Sequence, residues 1–391
     1  MAWRAGTDCT TDGAPGRPRT DLPAPEAAAS GPAADPASDA HPPPSGDGPA
    51  DAREAHARPV AGPVGSRPGV HRALRLVLAW GLVVPTALWL VVRVTSVGRG
   101  TTVETFIVFT PYVALASIAV LAITAALRVR PAALAAAACS AGYALVAAPL
   151  FVAAGPPSPA PTGPGLRVMS SNVQFGWADA ATVVRLVEEG DIDVLGVQEL
   201  TPAFHHRLVA EGLEDLLPHG VVDARDGASG TGLYSRFPVE RAASDHPGTD
   251  IPGEHAHPTG LVEVPGAPPV QVTVVHPVPP VAPGSVDAWQ ETLAALPRPD
   301  PGGTVHLLVG DFNATVDQPT LRDLLDDGYT DAALARGDGW QPTWRRSRFG
   351  PALTIDHVLL DGATAVERVS VHDVPGSDHR ALVAAVRLPE V

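Results

Sequence analysis

Residues 307–315, LLVGDFNAT, place a carboxylate (Asp311) and an amide (Asn313) directly after a continuous apolar run. Such a run, closed by a glycine, reads as a buried strand. If the chain stays extended past Asp311, both polar side chains point to one face, because side chains alternate along a strand. The same pattern recurs along the chain. SSNVQFG (170–176) carries Asn172, DVLGVQEL (193–200) ends on Glu199, and VTVVHP (272–277) ends on His276. TIDHVLL (354–360) and GSDHRALV (376–383) add Asp356, Asp378 and His379. Together these would gather carboxylates, amides and imidazoles at one rim of a sheet.

Around these motifs, residues 166–391 alternate between strand-like and helix-like segments. LRVMSSNV, DVLGVQEL, TGLYSRFPV, Leu261–Val264, VQVTVVHP, TVHLLVGDFN, TIDHVLL, VERVSVHDV and ALVAAVRL read as strands. Helices are expected over Ala178–Glu189, from Thr201-Pro202 onward with proline near its first position, and from a Ser285 cap to about Leu296. Strands interleaved with helices in this way suggest an α/β fold in four layers, two packed sheets with helices outside.

Composition divides the 391 residues into unlike parts. Residues 1–71 are rich in Pro, Ala, Gly and Asp with almost no large apolar side chains, so they read as a disordered tail. Residues 155–165, GPPSPAPTGPG, read as a proline-rich, semi-extended linker that would lift the following domain off the bilayer. The formal net charge of −15 opposes a general nucleic-acid-binding surface, which would be basic. All 27 basic residues are arginine, as a GC-rich genome would give. The two cysteines, Cys9 and Cys139, lie in the tail and in an apolar stretch and leave the redox compartment open.

Residues 72–154 contain three uncharged apolar stretches, Leu76–Val92, Thr105–Leu127 and Ala132–Ala154. Each approximates the ~20 residues that cross a bilayer as a helix. Three transmembrane helices are therefore expected. Arg67, Arg72, Arg75, Arg128 and Arg130 fall on one side, and Arg93, Arg99 and Arg167 on the other. The positive-inside rule then puts the N-terminus in the cytoplasm and residues 166–391 outside the cell, on a multi-pass membrane protein.

The GDFN, IDH and SDHR elements are the most specific features of residues 166–390, and they resemble the endonuclease/exonuclease/phosphatase family, whose members cleave phosphate esters. The resemblance implies a four-layer α/β/β/α fold and a Mg²⁺ (or Mn²⁺) cofactor. It also implies residue roles. Glu199 would be the main metal ligand, Asn172 a ligand or an orienting amide beside it, and Asp378 would approach the metal. Asp311 would orient or deprotonate the attacking water and Asn313 hold the phosphate. His379, paired with Asp356, would act as acid–base or oxyanion-stabilising imidazole, and His276 would contact the transferred phosphoryl group. Trp344, Arg345, Arg346 and Arg348 stand where relatives carry substrate-contacting loops and could grip a phosphate and stack a ring.

Plainer readings stand beside these. Glu199 could simply neighbour a helix N-terminus, Asp311 and Asn313 could form an Asx turn, and His276 could end a strand without a role. His357 should face away from Asp356 and be structural, Glu254, His255 and His257 read as a solvated loop, and Tyr234 is given no catalytic role. The substrate is expected to be a phosphate ester: nucleic acid in the first place, for an extracellular nuclease or phosphodiesterase, since GDFNA is closer to the nucleases than to the phosphoinositide enzymes, with phospholipid, for a lipid phosphodiesterase or phosphatase, as the alternative. A catalytically silent binding module on a membrane stalk is the reading from another class. No protein partner is evident in the sequence.

Overall fold

A computed structural model of the chain describes residues 68–155, 160–242, 255–282, 284–299, 303–347 and 350–391. The N-terminal tail to residue 67, linker residues 156–159, Glu254 and Arg348 lie outside the described residues.

The apolar region forms helices α1 (Pro68–Thr95), α2 (Thr102–Phe106), α3 (Thr110–Ala126) and α4 (Arg130–Ala147). A 3₁₀ turn joins α2 to α3, giving spans of Gly69–Thr95, Thr102–Ala126 and Arg130–Leu150 that are long and apolar enough to cross a membrane. Small side chains such as Ala79, Ala132 and Ala136 face inward, which lets the helices approach closely. Leu74, Val77, Leu88, Leu115, Ile118, Leu134 and Leu145 face outward and exposed. The third span stops at Leu150, four residues earlier than expected.

Beyond the linker the chain forms two six-stranded sheets. The first contains β1 (Gly165–Asn172), β2 (Val194–Gln198), β3 (His219–Asp223) and β4 (Thr231–Ser235), with β13 (Ala365–Asp373) and β14 (Arg380–Arg387), in the order β13-β14-β1-β2-β4-β3. The second contains β5 (Val239–Arg241), β6 (Thr259–Val262), β7 (Val270–Val275), β8 (Val305–Asp311), β9 (Tyr329–Asp331) and β12 (Asp356–Asp361), in the order β5-β6-β7-β8-β12-β9. A short hairpin, β10 (Trp344–Arg345) and β11 (Ala352–Leu353), precedes β12. Among the described residues, only β1–β2 and β7–β8 pair in parallel.

The sheets pack face to face through Val168, Val194, Val272, Val274, Val309 and Val358. Helices α5 (Ala180–Glu189), α6 (Pro202–Ala210) and α7 (Leu213–Leu216) cover the first sheet, with Phe204 and Leu208 against Leu195 and Val197. Helices α8 (Ser285–Ala295) and α9 (Pro319–Asp326) cover the second, with Trp289 and Leu321 against Leu308 and Leu359. The short α10 (Ala332–Arg336) follows β9. The expected four-layer α/β sandwich is what the chain forms. One local expectation fails: Gly284, in left-handed conformation, precedes α8, and the Ser285 hydroxyl bonds back to Ala282 instead of capping the helix.

Gly310 is required by close approach. A Cβ there would lie 2.0 Å from the carbonyl oxygen of Val275 on the parallel neighbour β7. Gly310→Ala is expected to cost about 2–3 kcal/mol, the range for forcing extra atoms into packed surroundings. Urea unfolding of the full chain in detergent would read this, and a shift below 0.5 kcal/mol would contradict it.

The sandwich packs directly against the helix ends. Arg93, at the end of α1, donates to Asp317 at 2.6 Å, and Arg99 pairs with Asp323 on α9. Glu104 of α2 is 2% exposed. Its carboxylate accepts from the Thr320 amide (3.1 Å) and hydroxyl (2.6 Å) on α9, from Gln290 on α8 (2.7 Å) and from the Gly100 amide (2.9 Å). Tyr112 of α3 exchanges hydrogen bonds of 2.7 Å with both backbone groups of Ala352. Thr105 donates to the Pro280 carbonyl, and Leu150 accepts from the Gly339 amide.

Candidate active site

The motif residues converge at one edge of the sandwich because the strands end there together. β1, β2, β7 and β8 finish at this edge, while β12 and β14 start there; Asp356 pairs opposite Asp311 in the β8–β12 ladder. Asn172 of β1 bridges the two sheets, its amide nitrogen donating to Glu199 Oε1 at 3.2 Å and to Asp311 Oδ2 at 3.0 Å. Its own oxygen accepts from the Gln174 amide, so Asn172 here orients the two acids.

Glu199 is one residue past β2 in left-handed conformation (φ 58°), a costly position that persists where surroundings enforce it. Its Oε2 accepts from the Phe175 amide at 2.7 Å. Burial raises its pKa, partly offset by the bonds from Asn172 and Phe175, while the charge of Asp378 adds to the rise. Burial likewise holds the Asp311 carboxyl well above the ordinary aspartate range, against the pull of His379.

His379 Nδ1 lies 2.9 Å from Asp356 Oδ2, and its Nε2 faces Asp311 Oδ2 at 3.6 Å. Burial works to discharge this ring, but Asp356 and Asp311 outweigh it and raise the pKa to about 9, so the imidazolium form is held at neutral pH. His276 is the opposite case. Its Nε2 lies 3.9 Å from Glu199 and 3.8 Å from Asp311, yet burial and the neighbouring rings of His255 and His257 push its pKa far down, keeping it neutral. Two imidazoles of opposite protonation thus flank one carboxylate cluster.

Asn313, also left-handed (φ 49°), is not extended after Asp311. Its amide N–H returns to Asp311 Oδ1 at 2.8 Å in an Asx turn, and its side chain donates to the Pro277 carbonyl at 3.0 Å. The turn and the placement at the site are both present. Asp378 joins the group through neighbours: Trp344 Nε1 donates to its carboxylate at 2.9 Å, and Trp344 forms an isolated β-bridge with His379. Arg345 and Arg346 are exposed. Arg345 lines an open cavity of about 580 Å³ with Trp344, Asp378, His379 and Arg380, a volume ordinary for a ligand site.

His357 faces away from the cluster as expected, bonded to Asp331 (2.6 Å) and to the Ala314 carbonyl (2.9 Å). Tyr234 is buried, its hydroxyl against His205 at 2.8 Å. The reading of His255 and His257 as a solvated loop is overturned: both are buried and clamp the backbone of His276, one at its carbonyl (2.9 Å) and one at its amide (3.2 Å). Sequence reasoning also passed over Phe175 and Trp177, exposed at the mouth of the site; their one signal was the FGW run just after Asn172.

The cluster suits a divalent cation. Glu199, Asp311, Asp356 and Asp378 supply hard oxygen donors, the kind Mg²⁺ and Mn²⁺ prefer. Among the described residues the only basic side chains within ion-pair distance of the first three are the imidazoles of His276, which is neutral, and His379. Asp356 Oδ1 is buried with no hydrogen-bond partner, and Asp311, Asp356 and His379 offer ligand atoms all within 4.8 Å of one another.

The profile of the Endonuclease/Exonuclease/phosphatase family matches residues 169–379. Among solved structures, an endonuclease/exonuclease/phosphatase from Beutenbergia cavernae is similar at 21% identity, covering 57% of this chain and 72% of that one, with a TM-score of 0.45. TDP2 from D. rerio, solved with a single-strand DNA product, is similar at 16% identity, covering 57% and 98%, with a TM-score of 0.45. Sphingomyelinase C from Streptomyces griseocarneus is similar at 17% identity, covering 57% and 99%, with a TM-score of 0.39. No curated protein matches the chain. With its site motifs inside the matched segment, the chain belongs to the Endonuclease/Exonuclease/phosphatase family, a family of phosphoesterases.

Proposed function

We propose that the chain is a divalent-metal-dependent phosphodiesterase held in the cell membrane by three spans, with its sandwich outside the cell. The observation that carries the chemistry is the carboxylate cluster flanked by one charged and one neutral imidazole. Glu199 and Asp378 would hold the cation, with Asn172 orienting Glu199. When bound, the cation neutralises charge on the phosphoryl oxygens and assists departure of the leaving oxygen. Asp311, kept basic enough by burial to accept a proton, orients and deprotonates the attacking water. His379, held as imidazolium by Asp356, donates to the phosphoryl oxygen where charge develops. His276 and the free N–H of Asn313 complete the cradle, and Trp344, Arg345 and Arg346, with Arg348 beyond the described residues, are offered to the remainder of the substrate.

The orientation draws support from the arginines. Arg72, Arg75, Arg128 and Arg130 line one cleft at the end of the bundle remote from Arg93, whereas Arg93 and Arg99 are paired with Asp317 and Asp323. For the substrate, membrane phospholipid is favoured. The segments following His276 and Asp311 and the one preceding Asp356 each bond to a helix end within six residues, through Pro280, Asp317 and Ala352. The site therefore opens on the edge that meets the spans.

The test uses the full chain reconstituted in phospholipid vesicles with Mg²⁺ or Mn²⁺, scored for phospholipid hydrolysis and for nicking of supercoiled plasmid, with Glu199→Ala as control. Metal-dependent phospholipid turnover lost in the variant is expected. Nicking without lipid turnover would make the chain a surface nuclease. Inactivity on both, and on a generic phosphodiester, would return it to the class of silent binding modules.

A further inference from the structure

Phe175 and Trp177 stand out as 43% and 67% exposed, side by side, with ring centroids 5.3 Å apart. Single exposed apolar residues need no explanation, but adjacent rings on a fixed loop do. This loop is fixed. Gln174, Phe175 and Gly176 are consecutively left-handed (φ 45°, 54° and 71°). The Phe175 amide is bonded to Glu199, Arg207 donates to the Gly176 carbonyl, and the Asp179 amide is bonded to Pro375 at 2.8 Å. A Cβ on Gly176 would lie 2.5 Å from the Thr201 hydroxyl. The rings have thus not drifted out of a loose loop; the fold holds them there.

Their position identifies what they meet. The loop leaves β1 at the edge where the segment after β8 also leaves, the two being joined by the Asn172–Asp311 bond at 3.0 Å. The segment after β8 is the one fastened to the membrane helices, through Asp317–Arg93 and Thr320–Glu104. The edge bearing the aromatic pair is therefore continuous with the edge on which the spans end. Tryptophan favours the level of lipid headgroups, with its ring body apolar and its N–H wet.

We propose that Phe175 and Trp177 form a lip that seats in the headgroup region of the bilayer crossed by this chain's own helices, closing one side of the site mouth onto the membrane surface. The inference rests on reading the three apolar helices as bilayer spans. It adds a second attachment beside the site, so that the site takes its phosphate ester from the plane of the interface.

The experiment compares tryptophan fluorescence of the full chain and of Trp177→Ser, each reconstituted in vesicles with and without phosphatidylcholine brominated near the headgroup. The difference signal isolates Trp177, and it requires no catalytic activity, so it stands or falls separately from the hydrolytic reading. The expected result is a Trp177 component quenched by bromolipid and shielded from iodide. A second expectation is a rise of roughly tenfold in apparent KM for vesicle substrate in Phe175→Ser/Trp177→Ser, the loss of about one ring's interfacial burial. A Trp177 component open to iodide and untouched by bromolipid would overturn the proposal. Quenching by added oligonucleotide instead of bromolipid would also overturn it, in favour of a base-stacking role.

Discussion

Glu199→Gln is expected to lower kcat for phosphodiester hydrolysis by about 10³-fold, the scale of losing a main electrostatic contributor to the transition state. The thermal midpoint should stay level or rise. Glu199 is held in a left-handed backbone conformation among like charges, and burial already penalises its ionised form. Removing that charge relieves ground-state repulsion, as expected where a fold carries local cost for function. Steady-state kinetics with Mn²⁺, together with thermal unfolding with and without Mn²⁺, would read both effects. The variant should also lose the midpoint increase that cation binding gives the wild type. Wild-type turnover, or an unchanged response to Mn²⁺, would remove Glu199 from the role assigned to it.

Asp331→Asn should carry the largest stability loss. His357 presents Nδ1 to Asp331 and Nε2 to the Ala314 carbonyl, two acceptors, so both ring nitrogens must carry protons. Burial works to discharge the ring, but Asp331 and Ala314 hold its pKa above the ordinary 6.5. Deleting one partner of a buried pair costs about 3–5 kcal/mol. Because the folded-state pKa is raised, the contribution is complete below about pH 6.5 and fades as pH rises through the folded value. The variant should therefore fall furthest behind wild type near pH 5.5 and recover part of the gap in alkali. Denaturant unfolding at both pH values checks this, and a gap independent of pH would show that His357 is not charged in the folded chain.

The strand-end motifs were legible because a polar residue at the tip of an apolar run lies at a sheet rim, and Asn172, Glu199 and Asp311 at or just past strand ends meet Asp356 and His379 at strand starts. Other features depend on partners distant in sequence. His255 and His257 act through the backbone of His276, and no spacing rule announces two side chains that bond to a third residue's amide and carbonyl. Glu104 carries no motif of its own; its partners Gln290 and Thr320 lie about two hundred residues away. Asn313 kept its place but not its extended geometry, because an Asx turn satisfies the backbone more locally than another strand residue would.

The buried carboxylate of Glu104 bears on where this protein can be divided. The family match starts at residue 169, whereas the compact unit that contains it starts at Gly65. A fragment cut in the proline-rich stretch would keep every residue of the acidic cluster. It would also bare the α8–α9 surface that receives Glu104, leave Asp317 without Arg93, and strip Trp340 of its packing against Tyr112 and Phe151. In this architecture the apolar helices are part of the sandwich's own scaffold, and the smallest complete piece includes them.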